Sequence, residues 1–392
     1  MKKVLLATLL VSLAASVPAL DVLRPAFVKN TTAQNSSSVP LILTLFGAPI
    51  VEGDAEFLMV DPTNDDYIIL FNGGSTGDSD GGALIRYNKT NLADFDIIAL
   101  SLANTAIDAA NGAAVAPTDA TIRDMGMDTN GHVIFVVDPN GADPLLPFLI
   151  RADFNGASDI VEVIASGVNL DGSETMTVLG TTAYIEKQGS FAGGTPADNA
   201  IYVYSTAGAA NSAQTGTVFV NDTAFIAAGI TTSNNINALA SNGTNLILGV
   251  AAEFYQITPA GVITSYKTSA SIATDLGTAV TGTANNALLA LPNGEVYFSG
   301  FAGGPAPLGN GWVKLANDGP KTASILLSET DVEADADFKT TVGGLTTAEL
   351  EANNRNFGFS DGDFIFSNES SDDTVWRVIL AAPAVVSEWM AY

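Results

Sequence analysis

The sequence predicts an all-β chain, most consistent with a β-propeller of six four-stranded blades preceded by an N-terminal extension. Three observations carry this. Short apolar runs group in fours, and the groups recur about every 50–70 residues, as blades do. A hairpin signal, Asn130-Gly131, Asn293-Gly294 or Asp361-Gly362, returns at the same place in the unit. The phrase Phe191-Ala192-Gly193-Gly194-Thr195-Pro196 follows the second strand of one unit, and Phe301-Ala302-Gly303-Gly304-Pro305 stands at the equivalent point two units later.

The units follow in order. The first reads Glu56–Asp61, Tyr67–Asn72, Ala83–Asn88 and Phe95–Leu100. The second is the clearest: Ile122–Asp128, the turn Thr129-Asn130-Gly131, His132–Asp138, then Phe148–Phe154 and Ile160–Ala165. Asn-Gly between apolar runs points to a type I′ turn, whose two central residues both need positive φ. The third reads Thr175–Leu179, Ala183–Lys187, Ala200–Ser205 and Thr217–Val220. The fourth, the weakest fit, reads Asn237–Ala240, Leu246–Val250, Glu253–Thr258 and Val262–Lys267. The fifth reads Ala287–Leu291, Glu295–Ser299, Gly311–Leu315 and Ala323–Leu327; the sixth reads Phe357–Ser360, Asp363–Ser367, Thr374–Leu380 and Ala384–Trp389. Uneven spacing comes from inserts: Asn104–Ala120 with room for a short helix, and an acidic stretch whose Thr346–Arg355 reads as a Thr-capped helix. A β-helix or a pair of sandwiches is the alternative architecture.

Composition excludes several functions. The 392 residues include no Cys and one His. That removes disulfide scaffolds, thiolate metal sites and cysteine nucleophiles. Lys+Arg total 15 against 42 Asp+Glu, a formal charge of -27. Nucleic acid and anionic membranes both call for a basic footprint, so neither is an expected partner.

Residues 1–19 read as a signal peptide. Lys2 and Lys3 precede the apolar run Val4–Ala15, and Val17-Pro18-Ala19 supplies a small-residue cleavage site. Removing the two lysines takes the charge from -27 to -29. No later stretch has the 18 or so uninterrupted apolar residues of a membrane span, so the expectation is a secreted protein, extracellular, cell-surface or periplasmic. Residues 20–51 read as a polar leader followed by the apolar run Val39–Val51, and residues 52–392 as one propeller domain.

The phrases GMDTNGHVIFVVD (126–138) and FGFSDGDFIFSNESSDDTVWRVI (357–379) resemble blades of the NHL and gluconolactonase-like β-propellers. There, too, a strand, a turn with a D-x-x-G flavour, a second strand and a later apolar–Arg strand recur. The resemblance spans residues 55–390 as architecture. The metal-binding acids of gluconolactonase-like enzymes find no matching motif and are not carried over.

In a propeller, the second-to-third-strand loops and the blade-to-blade loops share one face. Five of the six second-to-third loops are long: Gly73–Gly82, Pro139–Pro147, Gln188–Asn199, Gly300–Asn310 and Asn368–Asp373. They carry Asp78, Asp80, Asp143, Asp198, Glu369, Asp372 and Asp373 and no Lys or Arg. Function gathers on such loops, although solvated turns have the same composition. Gly77-Asp78-Ser79-Asp80-Gly81-Gly82 alternates acids before glycine as calcium loops do, which makes Asp78 and Asp80 candidate ligands of a structural Ca2+. Asn169–Glu174 and Ser360–Asp363 are weaker relatives. No other cofactor is expected.

His132 opens a strand directly after a turn and reads as a structural strand residue. No Gly-x-Ser-x-Gly elbow is present. Arg86, Arg151 and Arg377 hold similar places in third strands, which suggests a repeated contact between blades to an acid. Six Asn-x-Ser/Thr sequons begin at Asn30, Asn35, Asn88, Asn221, Asn242 and Asn368, about the chance number for this composition.

The apolar Val39–Val51 and Ala381–Tyr392 suggest that an N-terminal strand completes the last blade. The alternative is that a tail adds as a strand to another copy, which repeated head-to-tail makes a filament or layer. Two functions follow. One is a non-catalytic extracellular structural or binding protein whose partner is itself or an extracellular ligand. The other is a secreted, Ca2+-dependent hydrolase, lyase or lactonase using acids of the long-loop face.

Overall fold

The computed structural model describes residues 19–23, 55–64, 66–72, 83–88, 94–99, 101–111, 120–139, 147–154, 160–187, 199–210, 214–230, 236–250, 253–278, 288–299, 311–328, 357–360, 363–368 and 374–379. Their strands form six four-stranded antiparallel sheets. Five sheets are built wholly from consecutive strands. The first contains β2 (Ala55–Val60), β3 (Tyr67–Asn72), β4 (Ala83–Asn88) and β5 (Phe95–Ala99). The second contains β6 (Ala120–Met127), β7 (His132–Pro139), β8 (Phe148–Asp153) and β9 (Ile160–Ser166). The third runs β10 (Ser173–Leu179), β11 (Thr182–Lys187), β12 (Ala200–Ser205) and β13 (Thr217–Asn221). The fourth runs β14 (Ile236–Ser241), β15 (Leu246–Val250), β16 (Glu253–Ile257) and β17 (Ile263–Lys267). The fifth runs β18 (Leu288–Ala290), β19 (Val296–Ser299), β20 (Trp312–Leu315) and β21 (Ala323–Leu327).

The sixth sheet is different. It takes β22 (Phe357–Ser360), β23 (Asp363–Asn368) and β24 (Thr374–Ile379) from the end of the chain and β1 (Ala19–Leu23) from its beginning, in the order β1-β24-β23-β22. Ala19 pairs with Ile379 and Leu23 with Val375, antiparallel throughout. An N-terminal strand therefore does complete the last blade, but not from the expected segment. It lies at the edge of the proposed export signal, inside residues read as leader. It occupies the edge of β24 where Ala384–Trp389 was expected. Val39–Val51 and Ala384–Trp389 both lie outside the described residues. Every other expected strand is present to within two residues.

The hairpins at Asn130-Gly131 and Asn293-Gly294 depart from the expected type I′ geometry, and Asp361-Gly362 lies outside the described residues. In Asp128–His132 the N–H of Asp128 donates to the His132 carbonyl, the N–H of Gly131 donates back to the Asp128 carbonyl, and Gly131 alone has positive φ, at 85°. Leu291–Glu295 (Gly294, φ 86°) and Thr258–Val262 (Gly261, φ 77°) repeat this arrangement. It is a three-residue loop with a left-handed glycine, in which Asn keeps an ordinary φ. Among the described residues three short helices lie between sheets: α1 (Ser101–Asn111), in the insert expected to hold one; α2 (Asp222–Ala227); and α3 (Ser269–Leu276). Asn221 caps α2 through the Ala224 N–H, and Thr268 caps α3 through the Ser271 N–H. Thr346–Arg355 lies outside the described residues.

Alternate residues face opposite neighbours, so the second, third and fourth sheets are each buried on both sides. Ile134, Val136 and Leu149 of the second sheet pack on Met176, Ala183 and Ile185 of the third, while Val133, Phe135 and Ile150 face Ile69, Leu84 and Ile98 of the first. The fourth and fifth sheets meet through Ile247, Phe254, Phe298 and Val313. The fifth meets the sixth through rings, Tyr297 on Phe359 at 4.4 Å and Trp312 on Phe364 at 5.4 Å. Burial of this kind is the main favourable term in folding.

The first strands approach one another closely around the axis. A Cβ added to Gly126 would meet Val178 Cγ2 at 2.9 Å, and one added to Gly358 would meet Val60 Cγ2 at 2.8 Å. Gly126 and Gly358 fall in the two phrases that resemble each other in sequence. The second contact joins the sixth sheet to the first and closes the ring.

Candidate functional site

The first strand of each sheet, β2, β6, β10, β14, β18 and β22, lines one central cavity of about 390 Å3. Most of its lining side chains are apolar, but polar atoms form about half of the exposed wall. The chain has six methionines, and the four between its terminal ones, Met59, Met125, Met127 and Met176, all stand on this wall. Thioethers on unbranched side chains adapt to irregular apolar shapes. The volume is at the small end of ligand pockets, which run from about 300 to 1,000 Å3.

Polar groups in the wall bind the sheets together. Register shifts in β2, β6, β10 and β14 mark bulges. The bulge in β6 turns Asp124 toward the third sheet. Its Oδ2 accepts from the Met176 N–H at 2.8 Å and from the Thr175 hydroxyl at 3.1 Å. Thr175 Oγ1 accepts in turn from the Leu239 N–H of the fourth sheet at 3.1 Å. Three sheets are thus joined by one relay, with Thr175 buried at its centre.

Two further buried acids organise the face of the first-to-second-strand turns. Asp128 Oδ1 accepts from the N–H groups of Asn130 and His132, and Oδ2 from the Thr206 hydroxyl of the third sheet at 2.8 Å. The Nδ1 of His132 is 3.1 Å from the same Oδ2. Burial alone would raise the Asp128 carboxyl. The His132 N–H, the Thr206 hydroxyl, the His132 ring and the Asn130 N–H outweigh it and hold the group below the usual carboxylate value. Asp61 occupies the matching place in the first sheet. It accepts from the N–H groups of Thr63 and Asn64 and from Arg86 Nε at 2.8 Å. Arg86 also lies over the Tyr67 ring, 4.2 Å from its centre.

Two of the third-strand arginines, Arg86 and Arg151, behave differently from expectation, and the side chain of Arg377 lies outside what is described. Arg86 reaches acids of its own sheet, Asp61 and Asp96. Arg151 pairs with Glu162 of its own sheet, and what it reaches between sheets is backbone: its Nη1 donates to the carbonyls of Thr206 at 2.7 Å and Gly208 at 3.1 Å. A guanidinium fork satisfies an acid and a pair of carbonyls at once, which is why the contact between blades needs no second acid. His132 is a half-buried strand residue that completes the Asp128 turn, as its sequence position suggested.

On the far side of the ring, burial again works to raise Glu295, but hydrogen bonds from Lys314, the Tyr297 hydroxyl and Asn293 keep it low. Tyr297 is pushed well above an ordinary phenol, first by burial and then by that bond. Tyr255 is pushed up to about 12 by burial and its bond to Glu253.

Asp78, Asp80, Asp143, Asp198, Glu369, Asp372 and Asp373 all lie outside the described residues. The weaker calcium-loop relative, Asn169–Glu174, connects β9 to β10, with Leu170 buried and Gly172 at φ 71°. Among the described residues no three His, Cys, Asp or Glu side chains converge as a metal site. No described helix is long and apolar enough to cross a membrane. The residues that sequence reasoning missed are Asp61, Asp124, Asp128 and Thr175. One signal for them was readable: Asp61 and Asp128 each end a first strand directly before a turn.

No family model and no curated protein matches the chain. Solved structures with a similar fold are β-propellers. YCF48 bound to the D1 peptide is 11% identical over 85% of this chain and 96% of that one, with a TM-score of 0.46. Regucalcin from Agrobacterium tumefaciens, a calcium-binding protein, is 10% identical over 82% and 88%, with a TM-score of 0.44. The β-propeller domain of the Trilobed protease from Pyrococcus furiosus, described as an open velcro topology, is 9% identical over 86% and 99%, with a TM-score of 0.40. At these identities the likeness concerns the fold alone, and the resemblance to NHL and gluconolactonase-like blades stands at that same level.

Proposed function

We propose that the chain is a secreted, non-catalytic β-propeller that serves as an extracellular or cell-surface structural or binding protein and associates with copies of itself through its terminal segments. The observation that supports this reading best is the employment of Asp61 and Asp128, which are buried, and of Asp124, which is half-buried. Asp61, Asp124 and Asp128 are each saturated by backbone and side-chain donors that tie turns and sheets together. A catalytic carboxylate needs a proton-transfer partner in the substrate, and a group already accepting three or four hydrogen bonds inside the scaffold is poorly placed to serve. The signal-like residues 1–19 and the apolar terminal segments support export and association.

Electron micrographs and light scattering of the exported protein test this reading. Particles larger than one chain, with no turnover on a panel of glycans and lactones with or without chelator, are the expected result. A monodisperse monomer that turns over one of those substrates, loses that activity to chelator and gains thermal stability from added Ca2+ would overturn it in favour of a calcium-dependent enzyme using Asp78 and Asp80.

A further inference from the structure

We propose that β1 is an exchangeable strand, so that the sixth sheet of one copy is completed by β1 of a second copy. The inference rests on the reading of the chain as a self-associating propeller and names the contact that would carry it.

Three features support it. First, the sixth sheet is the one whose outermost strand does not follow its third strand along the chain: β24 ends at Ile379 and its partner is Ala19–Leu23. The edge of β24 is a row of backbone donors and acceptors that any copy of β1 satisfies equally well. Second, the connector has length to spare. The step from an outermost strand to the next first strand ranges from six residues between β9 and β10, 167–172, to 29 between β21 and β22, 328–356. Between β1 and β2 it takes residues 24–54, 31 in all. At roughly 3.3 Å per extended residue, that many residues span on the order of 100 Å, enough to reach a neighbouring ring. Third, β1 lies near the start of the chain. Cleavage near Ala19, as proposed above, leaves Leu20–Leu23 at a free end that enters another sheet without threading.

The pairing made in the swapped form is the pairing made in the closed form. The balance between them is therefore set by connector entropy and protein concentration. Donor and acceptor are different surfaces, so unreciprocated exchange builds an open chain of rings.

The native chain has no Cys, which makes cross-linking unambiguous. Asp21 faces Arg377 in register. One preparation carries Asp21→Cys with one affinity tag, and a second carries Arg377→Cys with another. The two are mixed at the concentration where the unmodified protein associates, then oxidised. Exchange predicts a disulfide-linked species bearing both tags, at twice the mass of one mature chain. It should exceed several-fold the yield from Asp21→Cys with the out-of-register Thr374→Cys. A second in-register pair, Leu20→Cys with Val378→Cys, keeps the test open if the first pair does not fold. No excess over the out-of-register control, while the two cysteines placed in a single chain link efficiently within it, overturns the proposal. If the protein still forms large particles in that case, self-association stands and another surface carries it.

Discussion

The second and sixth sheets share a strand order but not a construction. Ala120–Ser166 supplies all four strands of the second sheet from one stretch, and β9 follows β8 after six residues. The sixth sheet joins β24 to a strand whose last residue lies 351 positions earlier (374 minus 23). Closing a loop some 350 residues long rather than six costs about 3–4 kcal/mol more in chain entropy, by the logarithmic dependence on loop length. The pairing of β1 with β24 therefore spans the greatest sequence separation in the ring, and it lies at the same seam as the packing of Gly358 on Val60.

The largest expected effect comes from breaking that pairing. Relative to a mature chain that begins at Leu20, one beginning at residue 24 loses the four register pairs from Leu20–Val378 to Leu23–Val375. At about 1 kcal/mol net per hydrogen bond, the loss is roughly 3–5 kcal/mol in urea unfolding. A change of under 1 kcal/mol would show that β1 contributes nothing to closure.

Next come the contacts between first strands. Gly126→Ala drives a methyl against Val178 inside the ring, and Gly358→Ala drives one against Val60 at the seam. Overpacking of this kind costs about 1–3 kcal/mol. Pairing Gly126→Ala with Val178→Ala should restore most of the loss. Equal costs at the two glycines mean that the seam is as tightly packed as the rest; a near-silent Gly358→Ala means that the seam gives way.

Thr175→Val keeps the shape of the side chain and deletes the relay between Asp124 and Leu239. The Leu239 N–H is left buried without that acceptor, and the loss should be about 1–2 kcal/mol. Thr175→Ser should retain most of the stability, which separates the hydrogen bond from the methyl.

The smallest effect is one of pH. The Asp128 carboxyl is held below its unfolded value of 3.8. Its contribution is therefore complete above that value and is lost as pH falls through the lower folded value. The melting midpoint of Asp128→Asn should lie below that of the native chain at pH 6, and the two should converge as the pH falls below the unfolded value and through the lower folded one. Parallel pH curves would show that Asp128 is not the group involved.

The contrast between the sheets also marks what the sequence disclosed. Strand positions were readable because apolar runs and glycine turns are local signals, and Ala200–Ser205 or Leu246–Val250 needs no tertiary knowledge. The turn geometry at Asn130-Gly131 was misread, since the dipeptide suits both a two-residue and a three-residue loop and the flanking register decides between them. Ala19–Leu23 was hidden for a stronger reason: ALDVL is weakly patterned, and its strand state is imposed by the edge of β24. The relay through Asp124 and Thr175 was invisible because it joins residues 51 and 64 positions apart, across bulges that no local pattern announces. Helices α2 and α3 went unread for lack of length, although their caps at Asn221 and Thr268 are ordinary ones.

Hydrogen exchange on the amides of Val375–Ile379 and Leu20–Leu23 tests ring closure by β1 most directly. The account predicts slow exchange in both segments of the full chain, comparable with Phe148–Asp153 of the second sheet, and rapid exchange along β24 once residues 1–23 are removed. Fast exchange of Leu20–Leu23 in the full chain, with β24 indifferent to their removal, would contradict it.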